Sequence, residues 1–95
     1  MKSCGDIPME FTTGQIVFSK SGHDKGGAFI VIDIEEEFLY IVDGKRRTLE
    51  KPKRKKIKHV QKTNYVDNDI KDKIENGSYI LDADIVKALK KYINN

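Results

Sequence analysis

GQIVFSKSGHDKGGAFIVIDI, residues 14–34, decides how the chain folds. Two apolar runs, 16–18 and 28–34, flank a polar loop containing Gly22, His23, Asp24, Lys25, Gly26 and Gly27. Ser21-Gly22 and the Gly26-Gly27 pair are places where the backbone can take positive φ, so the chain turns back on itself. Both runs are rich in Ile, Val and Phe and too short for a typical helix, which predicts strands, one over residues 15–20 and the next over 28–34. The second carries Ile30, Ile32 and Ile34 on one alternating face and Phe29 and Val31 on the other. A strand with one wet face would alternate apolar and polar, so another element must cover its second face.

N-terminal to this hairpin, residues 1–13 show no sustained period. Pro8 argues against a helix there, and the segment reads as a loose arm leading through Thr12-Thr13 into the first strand. On the other side, Glu35-Glu36-Glu37 is a charged turn, and Phe38–Val42 reads as a third strand. Asp43-Gly44 is the signature of a type I′ hairpin turn, which needs positive φ at both central residues. A short fourth strand is expected over 46–49, interrupted by Lys51-Pro52. Lys53–Lys56 looks too densely charged to pack, and 57–60 reads as the last strand, with Ile57 and either Val60 or His59 against the core. Five short strands with tight turns predict a small barrel over residues 14–62.

From Tyr65 the period changes. Val66, Ile70 and Ile74 are spaced by four, Asp67 is placed to cap a helix, and Asn76-Gly77 is a stop signal. A second helix fits 83–93, with Asp82 as its cap and Ile85, Ala88, Leu89 and Tyr92 as one apolar stripe. These helices supply the apolar face that the second strand lacks, so the expected organisation is an arm (1–13), a barrel (14–62) and a helical extension (63–95) packed on it. A 49-residue barrel alone would bury too little surface for secure stability, which favours the same packing.

The chain has 95 residues, 38% hydrophobic and 35% charged, which suits one soluble domain with a modest core. No segment approaches the ~20 apolar residues of a membrane span, and the N-terminus lacks an apolar signal region, so a cytoplasmic location is expected. The single Cys4 cannot form an internal disulfide and is given no role.

The net charge of +3 hides a strong asymmetry. Ten cations and one anion, Glu50, give residues 45–62 a charge of +9, while the other eight cations and fourteen anions leave −6 on the remainder. Lys and Arg at this density neutralise phosphates and release counterions, the sequence-independent part of nucleic-acid affinity. A solvated charged loop is the plainer alternative, but this run lies among strands and faces an acidic remainder. Arg46 and Arg47 offer forked donors suited to phosphates or guanine edges. Tyr40 and His59 are candidate stacking surfaces for unpaired bases, whereas Phe38 reads better as core.

The loop at 21–27 has the glycines and the cation, Lys25, of a phosphate cradle, although the GxxxxGK[ST] and GxGxxG spacings are both absent. Two histidines, one cysteine and no CxxC or HExxH make a transition-metal site improbable. Ser19 and Ser21 lack the context of a nucleophile. No catalytic constellation, cofactor or small-molecule substrate is expected.

Gly14 to Gly26 resembles the KOW motif, with Ser21-Gly22-His23-Asp24-Lys25-Gly26 its most specific part and Gly26 aligned with the key glycine. The likeness continues through residues 30–34, Asp43-Gly44-Lys45-Arg46, Pro52-Lys53 and Lys58-His59, about half the chain in all. This longer pattern is similar to bacterial KOW-domain RNA-binding proteins, which are themselves similar to a large-subunit ribosomal protein of archaea and eukaryotes. The resemblance implies an SH3-like barrel and RNA binding, commonly on the ribosome, through the loop between the first two strands. The adjacent Gly26-Gly27 pair departs from the usual spacing and implies a differently shaped loop. The acidic remainder suggests an accessory ribosome- or RNA-associated factor in translation rather than a constituent buried in ribosomal RNA.

The fold expected is thus mainly β with C-terminal α: a five-stranded SH3-like barrel carrying two short helices. The expected RNA contacts are Lys20, Ser21, Gly22, His23, Asp24, Lys25 and Gly26 of the loop region, with Lys45, Arg46, Arg47, Lys51, Lys53, Arg54, Lys55, Lys56, Lys58 and His59. The competing reading is a protein-interaction module of SH3-like type in transcription or translation.

Overall fold

β1 (Gln15–Ser19) and β2 (Ala28–Glu35) form the expected hairpin, with Ile16 opposite Ile30 and Phe18 opposite Ala28. The computed structural model describes residues 11–20, 22 and 26–94. β3 (Phe38–Val42) pairs with β2, β4 (Lys53–Lys56) pairs with β3, and a single 3-10 turn, Ile57–His59, leads into β5 (Val60–Val66), which returns to β1. The result is one antiparallel sheet in the order β4-β3-β2-β1-β5, mainly β and barrel-like, but not closed. α1 (Asn68–Glu75) and α2 (Asp82–Ile93) complete the fold.

The two apolar faces of β2 each have a cover. Ile16, Ile30 and Val42 pack against Ile70 of α1 and Ile85, Ala88 and Leu89 of α2. On the opposite face Val17, Phe29, Val31, Leu39, Ile41 and Val60 form a second cluster within the curved sheet. Ile16, Ile30 and Ile85 are fully buried, and each such side chain contributes roughly 1.5–3 kcal/mol relative to exposure. Tyr92 seals one side of the helix–sheet contact, its ring 5.1 Å from that of Tyr65 and 6.3 Å from that of Phe18. The helical stripe predicted from Ile85, Ala88, Leu89 and Tyr92 is therefore the face that docks.

Local chemistry places the joints. Asp67 caps α1 by accepting from the Ile70 N–H at 3.1 Å, as its position predicts. At the far end the Ser78 N–H donates to the Lys73 carbonyl and that of Gly77 to Ile74, closing the helix at the expected Asn76-Gly77 stop. Gln15 is buried but satisfied: its amide donates to the Thr63 carbonyl at 2.7 Å and accepts from the Thr12 N–H at 3.0 Å.

Several expectations are corrected. Residues 46–49 are not a strand, because Asp43 gathers its own backbone: its Oδ1 accepts from the Lys45 and Arg47 N–H groups, both at 2.9 Å. Asp43 and Gly44 both donate to the Arg47 carbonyl, and Gly44 alone of the two has positive φ, so the turn is not type I′. Lys53–Lys56 does pack, as β4. An edge strand tolerates cations because one rim faces solvent, and a lysine stem can lie along apolar surface. Ile57–His59 is a 3-10 turn rather than the start of a strand, and β5 extends to Val66, which therefore does not belong to α1.

Two further differences have tertiary causes. Asp82 is not the cap of α2: its Oδ1 accepts from the Leu49 N–H at 2.8 Å, tying the β3–β4 connection to the helix, while Asp84 reaches back to the Leu81 N–H at 3.0 Å. Ile34 does not share a face with Ile30, because the β2–β3 register shifts between Val31 and Asp33 and leaves Ile34 opposite Leu39 and 39% exposed.

Candidate nucleic-acid interface

The β1–β2 loop is closed at its neck by two backbone bonds, from Gly26 N–H to the Ser19 carbonyl at 2.8 Å and from Ser19 N–H to the Gly27 carbonyl at 3.1 Å. Gly22 and Gly26 both hold positive φ, as a tight reversal requires. Ser21, His23, Asp24 and Lys25 lie outside the described residues. Immediately before the loop, exposed Lys20 donates its N–H to the His59 carbonyl at 2.8 Å. Beside it, Lys55 crosses from β4 so that its Nζ would lie 3.4 Å from a Cβ placed on Gly22. Lys20, Gly22, Lys55 and His59, separated by up to 39 positions in the sequence, are thus brought to one place.

The basic run itself is divided. Lys56 and Lys58 are exposed on either side of Ile57, next to this loop-facing group, and His59 is half-buried. Lys45, Arg46 and Lys51 are exposed on the β3–β4 connection, while Arg47 is half-buried there. Lys45 lines a shallow groove of about 430 Å³ with Ala28 and, from α2, Val86, Leu89, Lys90 and Ile93. Lys90 joins this rim from outside the run, a cation that the charge count along the sequence does not single out. The helices meanwhile neutralise part of their own charge, Lys71 pairing with Glu75 at 2.6 Å and Lys73 approaching Asp84 at 3.8 Å. Among the described residues Lys45, Arg46, Lys51, Lys56 and Lys58 have no such acidic partner.

β4 sorts its four cations by the period of a strand. Lys53 and Lys55 stand opposite Ile41 and Leu39, on the side of the inner apolar cluster; Lys53 is half-buried and Lys55 buried. Arg54 and Lys56 stand opposite Tyr40 and Phe38 and are exposed. Phe38 is not core: it joins neither apolar cluster, and the Arg54 guanidinium carbon lies over it, 3.6 Å from the ring centroid. Tyr40 donates its hydroxyl to Glu35 Oε1 at 2.7 Å. That bond, with burial and the Glu35 charge, raises the Tyr40 phenol above its ordinary pKa, against a smaller opposing influence of Arg54. The Arg54–Phe38 stack is a feature the sequence reading missed, since it depends on the β3–β4 register.

Among the described residues, no three His, Cys, Asp or Glu side chains gather as a metal site, and no helix is long and apolar enough to cross a membrane. The chain matches no protein-family model and no curated protein.

Proposed function

We propose that the protein is an RNA-binding module of the KOW-domain type, acting in the cytoplasm as an accessory factor on the ribosome. The observation that carries this reading is the edge strand built wholly of cations, Lys53–Lys56, lying beside a glycine loop with positive φ and sending Lys55 to Gly22. Glycine at that point lets a phosphate approach the backbone, and Lys20, Lys56 and Lys58 supply charge around it. Exposed Lys45, Arg46 and Lys51 extend the positive surface along the β3–β4 connection. The protein acts by binding, with no catalytic step, cofactor, membrane or small-molecule substrate.

The test is sedimentation of the full chain with ribosomal subunits at low and high salt, alongside a salt titration of binding to isolated ribosomal RNA. With about six cations on phosphates, log K falls with log salt at a slope of about −4 to −5. No binding at low salt, or binding indifferent to salt, overturns the reading. The alternative, a protein-interaction module, is favoured by one specific observation: Tyr79, Leu81 and Ile93 are 83%, 49% and 64% exposed. It predicts a complex that survives high salt and nuclease.

A further inference from the structure

The register of β2, β3 and β4 places six side chains in a grid on one face of the sheet. Glu35 stands opposite Phe38, and Phe38 opposite Lys56; one step along, Asp33 stands opposite Tyr40, and Tyr40 opposite Arg54. Directly paired residues project to the same side, so the face carries an acidic column on β2, an aromatic column on β3 and a basic column on β4. Its phase is set by the register shift between Val31 and Asp33, without which the acids would point the other way. The helices do not cover this part of the sheet: the four charged residues are exposed, and Phe38 and Tyr40 belong to neither apolar cluster.

A nucleotide has the same order of chemistry: hydrogen-bond donors on a base edge, a flat ring, then an anionic phosphate. Acidic and basic columns two strands apart are separated by about 10 Å, a span that one extended nucleotide can bridge. The base-sized plane is already present. Arg54 is exposed and its guanidinium carbon lies over the Phe38 ring, and guanidinium planes stack bases as aromatic rings do. Glu35 is oriented by the Tyr40 hydroxyl on Oε1, which leaves Oε2 to accept from a ligand.

We propose that this face holds one unpaired guanine of a single-stranded RNA, stacked on Arg54, with its N1–H and N2–H₂ edge donating to Glu35 and its phosphate against Lys56. Guanine is the base whose Watson–Crick edge presents adjacent donors to a carboxylate. In a duplex that edge is paired and both ring faces are stacked, so the site selects unpaired RNA. The inference rests on the RNA-binding reading and adds to it a base and a strand state. The loop and the lysines supply affinity for any RNA; this grid supplies preference.

The experiment uses the full chain and three fluorescein-labelled heptamers, all-uridine, uridine with one central guanine, and uridine with one central adenine, together with a blunt duplex, by fluorescence anisotropy at low salt. The guanine heptamer is expected to bind about tenfold more tightly than all-uridine. Arg54→Lys keeps the charge but not the plane and should abolish most of that preference, bringing the guanine heptamer to within about twofold of all-uridine. Glu35→Gln should bring guanine and adenine to within about twofold of each other. Phe38→Leu, which removes the ring beneath the guanidinium, should reproduce the Arg54→Lys loss, and melting temperatures verify that each variant is folded. Equal affinity of the unmodified chain for all three heptamers, or a preference that survives Arg54→Lys, overturns this inference and leaves the RNA reading in place. Failure to bind any of the RNAs, duplex included, overturns both.

Discussion

Asp67 donates its backbone N–H to the carbonyl of Gly14 at 2.8 Å, and the two residues approach so closely that no side chain fits between them. A Cβ on residue 14 would lie 2.8 Å from the Asp67 carbonyl oxygen and 2.9 Å from the Lys71 Cβ, and Gly14 holds φ at +86°. The start of the first strand and the start of the first helix are therefore joined at a glycine. Gly14→Ala combines a left-handed backbone penalty with overpacking and should lower stability by about 2–4 kcal/mol in urea denaturation. A loss below about 0.5 kcal/mol, the usual range of a surface change, would mean that the joint yields and that the contact is not a constraint.

The other half of that joint is the Asp67 side chain, which caps Ile70. Asp67→Ala should cost about 1 kcal/mol, and Asp67→Asn, which retains an acceptor, much less. If the two variants are equally destabilised, the loss comes from burial of the residue rather than from capping. Thermal melts of the pair decide between these outcomes.

The helices are expected to be part of the folding unit. Ile85 is fully buried against Ile16, Ile30 and Val42, so Ile85→Ala should cost about 2–5 kcal/mol. Truncation after Asp67 keeps β5 whole but strips the apolar cover from β2, and the remaining chain should lose its cooperative melting transition. A truncated chain that melts as sharply and as high as the parent would show that the sheet is sufficient alone.

How far the sequence could be read depended on how local each cause is. Asp67 and the Ile85, Ala88, Leu89 and Tyr92 stripe were legible because their partners lie within a turn or two or on one helix face. The two-sided burial of β2 is legible from Phe29 to Ile32, and it demands the helices as its cover. The role of Asp82 is not legible, because its hydrogen-bond partner, Leu49, is 33 residues away and competes with the capping role. The face of Ile34 is not legible, because the register shift between Val31 and Asp33 leaves no compositional mark. β4 was hidden for a different reason: Lys-Arg-Lys-Lys has poor intrinsic preference for a strand, and only the open rim of an edge position makes it tolerable. The stack of Arg54 on Phe38 followed β4 out of sight, and with it the face that most resembles a base-reading surface.

Alkaline titration tests the Tyr40–Glu35 contact. The phenol is raised above its ordinary pKa, first by the hydrogen bond to Glu35, so the neutral form is the one the folded state favours. Its contribution to stability is fully present below the ordinary tyrosine pKa and is lost as pH rises through the raised one. In an ultraviolet difference titration Glu35→Gln should move the Tyr40 phenol to lower pH, with Tyr40→Phe identifying which of the four tyrosines gives the signal. An unchanged titration in Glu35→Gln would remove Glu35 as the cause.

Charge on exposed side chains should be separable from the fold. Lys45, Lys56 and Lys58 are all solvent-exposed, so replacing the three by Ala should leave the melting temperature close to that of the parent. Lys55 is unsuitable for such a test, because it is buried and its removal would disturb β4 and the loop together. If the three cations contact phosphates, the slope of log K against log salt for RNA binding should fall in magnitude by about 2 to 3, with all RNA sequences weakened alike. A slope that does not change would assign these lysines to solvent. It would shift weight to the group of Lys20, Gly22, Lys55 and His59, where the β1–β2 loop meets β4.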